Sequence, residues 1–312
     1  MFSYRHAFHA GNHADVLKHT VLIAILKHLT EKDAALTVVD THAGAGLYRL
    51  DGDYSSKGGE AADGVIKLFA ALAPASPAQS AIENVAPCVQ DYLDMVAGFN
   101  PGGQLKVYPG SPFVMHSLLR EAARDKLKLF ELHPTDHKAL AGNIAQLEAG
   151  RMIAVARQDG FDGVKAFVPP PVSAGGSRRA LVLIDPSYEI KSDYLKVSAC
   201  IQDCLKRFPT GSYAIWYPVI PRPEAHELPR RLKTLATQAK KPFLHATLNI
   251  GQPPDMDTVT IPGERAPRPG LTASGMFIIN PPHTLKAALE TALPQLLKVL
   301  GRGKGKGWTV DN

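Results

Sequence analysis

Between residues 14 and 29 the apolar positions Val16, Leu17, Ile23 and Leu26 recur at the spacing of one helix face, with Lys18, Lys27 and His28 interleaved. The pattern predicts an amphipathic helix, and Asn12, whose side chain can accept from free backbone N–H groups, is placed to cap it. Leu36, Val38 and Val39 then make a short β-rich run that ends at Asp40 and meets Gly44 and Gly46, a strand entering a tight turn. With this run taken as 35–40, further strand-like runs at 127–131, 152–156, 180–185, 212–218, 243–250 and 273–280 bring the total to seven.

The first five runs alternate with helical patterns, the signature of right-handed βαβ units and a parallel sheet covered on both faces. No helical pattern separates the last two. Their link, 251–272, is rich in Pro, Gly and charge, so they are expected to form an antiparallel pair joined by a long surface loop. Between the first and second strands lies an Ala- and Pro-rich stretch with helical periodicity near 65–72 and 89–96 and little β signal. It is expected to be a helical insertion, residues 54–107, within a single domain spanning 1–312. The tail from Gly301 to Gly307 is basic and glycine-rich, a solvated turn before a short terminal strand.

A chain of 312 residues, 45% hydrophobic and 21% charged, is long enough for a substantial core and excludes wholesale disorder and collagen-like repeats. Thirty-five basic against 29 acidic residues leave a net charge of +6, a mild pointer to an anionic partner such as nucleic acid. Three cysteines, Cys88, Cys200 and Cys204, are too few for a disulfide framework. The N-terminal residues lack an apolar signal core, and no apolar run approaches the roughly 20 residues that span a bilayer. A soluble, cytoplasmic protein, acting as a monomer and without membrane or metal, is the expectation.

Ligands of doubly wound sheets bind beyond the carboxyl ends of the strands, so the residues that follow each strand carry the chemistry. Asp40-Thr-His-Ala-Gly-Ala-Gly46 closes the first, and its glycines allow close backbone approach. A dinucleotide fingerprint would need a third glycine at position 49, which is Arg, so a nicotinamide cofactor is disfavoured. Glu131, ending the second strand, suits ribose hydroxyls, and Asp159-Gly160-Phe161 follows the third. The fourth delivers Asp185-Pro-Ser-Tyr188 at the sheet edge. The Asp185 carboxylate and the Pro186 carbonyl can both accept from one substrate amino group, while Tyr188 can stack on a planar base, a contact worth about 1–3 kcal/mol that tolerates any base.

Asp-Pro-Ser-Tyr resembles the (Asp/Asn)-Pro-Pro-(Tyr/Phe) motif of amino-group methyltransferases, and 40–46 resembles their methyl-donor loop. Ser3-Tyr-Arg-His6, the run from His9 to His19, Tyr108-Pro-Gly-Ser-Pro112, Glu131-Leu-His-Pro134, Ala214-Ile-Trp-Tyr-Pro218 and Thr272-Ala-Ser-Gly-Met276 extend the likeness, in collinear order, to the bacterial 23S ribosomal RNA adenine-N6 methyltransferases of the RlmJ family. The resemblance implies an α/β class I methyltransferase fold and methyl transfer from S-adenosyl-L-methionine to an adenine N6 in 23S ribosomal RNA. It implies that Lys18, His19, His42, Gly44, Ser111, Glu131, Asp159, Gly160 and Asp185 form the donor site. It also makes Asp185 the catalytic residue and places Tyr4, Pro186 and Tyr188 toward the substrate. Ser187 stands where the motif has its second proline, which is expected to loosen the turn.

Since the N6 lone pair is delocalised and the donor methyl already activated, alignment of the two dominates the expected catalysis, by direct displacement on a flipped base. Arg5, Arg49 and Arg268 are candidates for phosphate contacts. Two other functions compete: a catalytically silent RNA-binding module of the same shape, and a DNA adenine-N6 methyltransferase. A third, a metallohydrolase, draws on His9, His13, Asp15 and His19 within eleven residues. It is disfavoured because Gly11 interrupts the first four-residue step.

Overall fold

Ala180–Ile184 is buried at all five residues, with Leu181 and Leu183 packed into one hydrophobic core and Val182 and Ile184 into another. A strand buried on both faces belongs in the middle of a helix-covered parallel sheet. The computed structural model, which describes residues 9–51, 60–73, 81–172, 178–252 and 270–312, has that architecture. In chain order its elements are α1 (His13–Glu31), β1 (Thr37–Asp40), β2 (Leu47–Arg49), a π-helical turn (Ala62–Ile66) running into α2 (Lys67–Leu72), α3 (Pro87–Gly98), β3 (Val107–Pro109) and α4 (Ser111–Leu118). There follow β4 (Lys126–Phe130), α5 (Pro134–Ala145), β5 (Ile153–Ala156), α6 (Gly160–Gly163), β6 (Ala180–Ile184) and α7 (Ser192–Arg207). The last are β7 (Ser212–Pro218), α8 (Pro223–Gln238), β8 (Phe243–Asn249), β9 (Ala273–Ile279), α9 (Leu285–Leu300) and β10 (Gly307–Asp311).

The sheet has eight strands in the order β10-β8-β9-β7-β6-β1-β4-β5. All seven expected strands are in it; the eighth is the C-terminal β10, antiparallel to β8. Strands β5, β4, β1, β6 and β7 pair in parallel, and β9 runs antiparallel between β7 and β8. Short local pattern shows that β8 and β9 pair, but not that β9 enters between β8 and β7. A separate two-stranded ribbon, β2 with β3, brackets the residues of the insertion in register Tyr48↔Tyr108. Three-residue strands carry no readable alternation.

The expectation of an amphipathic α1 requires correction. Its cap is as expected, Asn12 Oδ1 accepting from Ala14 and Asp15 N–H at 2.9 and 3.0 Å. Yet residues 13–23 are all buried, the polar His13, Asp15, Lys18, His19 and Thr20 among them. The helix lies between the sheet, where it meets β9 and β7, and a cover made by α3, α4, α9 and the π-helical turn. The polar residues face a functional interior rather than solvent. Val65, Leu68, Val89, Tyr92 and Leu93 of the expected insertion belong to the same core as α1. Each such side chain contributes about 1.5–3 kcal/mol by leaving water.

Candidate active site

Strands β1 and β6 are parallel neighbours in register Asp40↔Leu183, so the glycine turn after β1 and the Asp185–Tyr188 turn leave the sheet side by side. Between them opens a cavity of about 310 Å3, within the range of small-molecule sites. Its rim takes His42 and Gly44 from the first turn, Glu131 beyond β4, Asp159 and Gly160 beyond β5, Asp185 and Pro186 beyond β6, together with Ser111 and Lys18. This is the switch point of the sheet, where chain progression reverses from the β4 side to the β6 side.

The turn is built by backbone fit. Gly44 and Gly46 have φ of +60° and +81°, the left-handed region that favours glycine. A Cβ on Gly44 would lie 2.2 Å from the Tyr48 hydroxyl, which itself accepts from Ala45 N–H. Glu131 accepts from Gly44 N–H through Oε2 at 2.8 Å and from His133 N–H through Oε1 at 2.7 Å. Burial raises its pKa despite those donors. Across the cavity Gly160 opens α6, capped by Asp159, whose Oδ1 accepts from Phe161 N–H. A Cβ on Gly160 would come 1.9 Å from the Thr41 carbonyl oxygen. Gly160→Ala therefore forces the two turns apart. It is expected to lower the urea-unfolding free energy by about 1–3 kcal/mol and to weaken donor binding in calorimetric titration; an unchanged unfolding midpoint would refute the close approach.

Asp40 is fully buried, accepting from Ser111 Oγ at 2.6 Å and from His42 N–H at 3.2 Å. Burial pushes its carboxyl up to about 6, while burial in the cavity wall brings His42 down to about 4. The two act in opposite directions on stability. Asp40, raised above its unfolded value, favours the folded state as pH falls from 6 toward 4. His42, lowered, costs stability as pH falls through 6.5 toward 4. In wild type they offset one another. Asp40→Asn leaves the histidine unopposed, and its thermal midpoint is expected to fall more steeply than wild type's between pH 6.5 and 4 when followed by circular dichroism; parallel curves would disprove the assignment.

The most polar interior feature is contributed by α1. Lys18 Nζ lies 2.8 Å from Asp15 Oδ1 and 2.5 Å from Asp185 Oδ2, with the lysine side chain only 5% exposed. Burial pushes the ammonium's pKa down, but the carboxylates of Asp15 and Asp185 outweigh it and hold the pKa well above the usual lysine value. Asp15 also accepts from Gly11 N–H at 2.9 Å. Lys18, Asp185 and Ser187 form the wall between the first cavity and a second, of about 190 Å3, lined further by His9, Asn12, Tyr188 and Trp216.

Tyr188 adopts φ +53°, a left-handed conformation that costs a bulky residue about 1–3 kcal/mol and marks a turn the surroundings enforce. Its hydroxyl donates to the Trp216 carbonyl at 2.7 Å, and its ring packs against Tyr194 and Trp216 with centroids 4.7 and 6.0 Å away. Trp216 lines the second cavity. Of the residues named from sequence, Lys18, His42, Gly44, Ser111, Glu131, Asp159, Gly160, Asp185 and Pro186 surround the first cavity and Tyr188 the second. His19 lines neither. Its ring is buried and stacks on Tyr108, whose hydroxyl lies 2.9 Å from Nδ1. Arg49 is exposed and forks onto Asp51 at 3.0 and 3.2 Å. Tyr4, Arg5 and Arg268 lie outside the described residues. Sequence reasoning missed Tyr48, the pairing of Asp15 with Lys18 and the role of Asp40. For Asp15 the available signal was the three-residue step to Lys18, which puts both on one helix face.

The would-be metal ligands have other partners: His9 pairs with Glu60, His13 Nε2 with the Leu271 carbonyl, and Asp15 with Lys18. Among the described residues no group of three or more His, Cys, Asp or Glu could hold a metal ion, and no helix is long and apolar enough to cross a membrane.

The strand order, the reversed β9, the glycine turn after β1, the acid after β4 and the Asp-Pro turn after β6 define a class I methyltransferase. The cavity fits S-adenosyl-L-methionine. Gly44 and Gly160 leave a cradle that a Cβ would fill, and Glu131, Asp159 and Asp185 present acceptors suited to hydroxyl, ammonium and sulfonium groups. The chain belongs to the RlmJ family: the family model described as ribosomal RNA large subunit methyltransferase D, RlmJ, matches residues 33–311. It is 40% identical over 306 residues to ribosomal RNA large subunit methyltransferase J of Escherichia coli, covering 98% of this chain and 96% of that one. It is 39% identical over 312 residues to the protein of the same name from Haemophilus influenzae, covering 100% and 98%. A crystal structure of a Legionella pneumophila protein superposes with a TM-score of 0.76 at 28% identity, covering 97% of this chain and 98% of that one.

Proposed function

We propose that this protein methylates the N6 amino group of an adenine in 23S ribosomal RNA, the first cavity holding the methyl donor and the second receiving a flipped base. The observation that carries this reading is the shared wall: Asp185 borders both cavities, so one carboxylate faces donor and acceptor together. When bound, S-adenosyl-L-methionine supplies an activated methyl group on a sulfonium.

The protein's own residues supply alignment. Glu131 and the 44–46 turn hold the nucleoside end, while His42, Ser111, Asp159 and Gly160 enclose the remainder, and His19 supports α1 from behind through Tyr108. The Lys18 ammonium occupies Asp185 Oδ2 and leaves Oδ1 to accept an N6 hydrogen, with the Pro186 carbonyl as second acceptor. These acceptors favour the more positive nitrogen of the transition state over the planar amine of the ground state. The proton leaves N6 along the bond to Asp185, either to the carboxylate or onward to water. Tyr188 and Trp216 offer ring surface that offsets the unstacking cost of a few kcal/mol.

The test is methyl transfer from radiolabelled donor to an unmodified 23S ribosomal RNA transcript, with the product located by mass spectrometry of nuclease fragments. Label at a single N6-methyladenine supports the reading. Label on duplex DNA but not RNA, or donor binding without transfer to either, would replace it with the DNA-methylating or silent alternative.

A further inference from the structure

The acceptor turn has one loose link. Pro186 fixes its own φ by its ring, and Tyr188 is locked at φ +53°. Between them Ser187 is exposed, and neither its N–H nor its hydroxyl makes a hydrogen bond among the described residues. Yet this residue sits on the wall between the two cavities, so the turn needs restraint from outside.

That restraint comes from the connection between β7 and α8. Arg222, the residue just before α8, donates from Nη1 to the Tyr188 carbonyl at 2.9 Å, while the Tyr188 hydroxyl is held by Trp216 at the end of β7. Tyr188 is therefore pinned at both backbone and ring tip. The root of the arginine is itself fixed: its N–H donates to the Ile220 carbonyl at 2.7 Å, and its carbonyl accepts from Ala225 and His226 N–H at 3.0 and 3.3 Å. A little further on, Lys191 pairs with Glu224 at 3.0 Å, tying the continuation of the turn to the first turn of α8. A guanidinium–carbonyl bond is charge-assisted and directional, suited to holding a strained carbonyl in one orientation.

We propose that Arg222 is a positioning residue for methyl transfer, acting through Tyr188 to hold the Asp185–Tyr188 turn in the geometry that aims Asp185 and the Pro186 carbonyl at the acceptor amine. It lines neither cavity. The inference rests on the functional reading above.

Arg222→Ala is expected to lower kcat on an unmodified 23S ribosomal RNA transcript about tenfold, with donor affinity within twofold of wild type by calorimetric titration. Stiffening the loose link directly should substitute for the lost bond, so adding Ser187→Pro to Arg222→Ala is expected to recover most of the rate. Where the alanine variant fails to fold, Arg222→Lys is measured against Arg222→Lys/Ser187→Pro by the same criteria. A wild-type kcat in the single variant, a loss confined to donor affinity, or a double variant no faster than the single one would each overturn the proposal. If wild type itself moves no methyl group to RNA, the functional reading fails and this inference falls with it, whereas any of the three outcomes above in an enzyme whose wild type methylates RNA overturns the inference alone.

Discussion

Asp185→Asn is expected to cut kcat for methyl transfer by about a hundred- to a thousandfold, the usual cost of removing one preorganised polar group from a site of developing charge. The substitution keeps the size of the side chain and replaces an acceptor with an amide whose NH2 opposes the N6 hydrogens. Donor affinity should move less than tenfold, because Glu131, Asp159 and the glycine turn remain. Single-turnover measurements at saturating donor separate the two. A variant within threefold of wild-type kcat would remove Asp185 from the chemistry.

Lys18→Met is expected to cost about 3–5 kcal/mol of stability, because it leaves Asp15 and Asp185 close together, buried and without their shared counter-ion. Activity should fall too, because the Asp185 carboxylate loses the partner that holds its Oδ2 in place. Adding Asp15→Asn removes one of the stranded charges and should restore part of the stability. Urea unfolding of the single and double variants forms the comparison. If the double variant were less stable than the single one, the cluster would not be an electrostatic unit.

Much of this was legible in the sequence because strand ends in parallel sheets announce themselves. Val38 and Val39 stop at Asp40, and Leu181 to Ile184 stop at Asp185. An apolar run that breaks at once into an acid and then a glycine or proline is a buried strand surfacing at its carboxyl end, where ligands bind. What stayed hidden depended on partners distant along the chain. Lys18 read as the polar face of a helix because the sequence does not show that Asp185, 167 residues away, lies against it. Tyr188 read as a free stacking ring, but its hydroxyl is bonded across 28 residues to Trp216. Arg222 gave no signal, since its function is to hold a carbonyl and any residue supplies one. The β2–β3 ribbon was too short for any periodicity.

The placement of β9 bears on biosynthesis. It separates β7 from β8, so the far half of the sheet stays open until residues 273–279 arrive. The N-terminal helix with Lys18 packs on this same strand and on α9. Helix α1 thus lacks part of its surroundings until β9 and α9 have been made, and such sequence-distant pairing is slow to form.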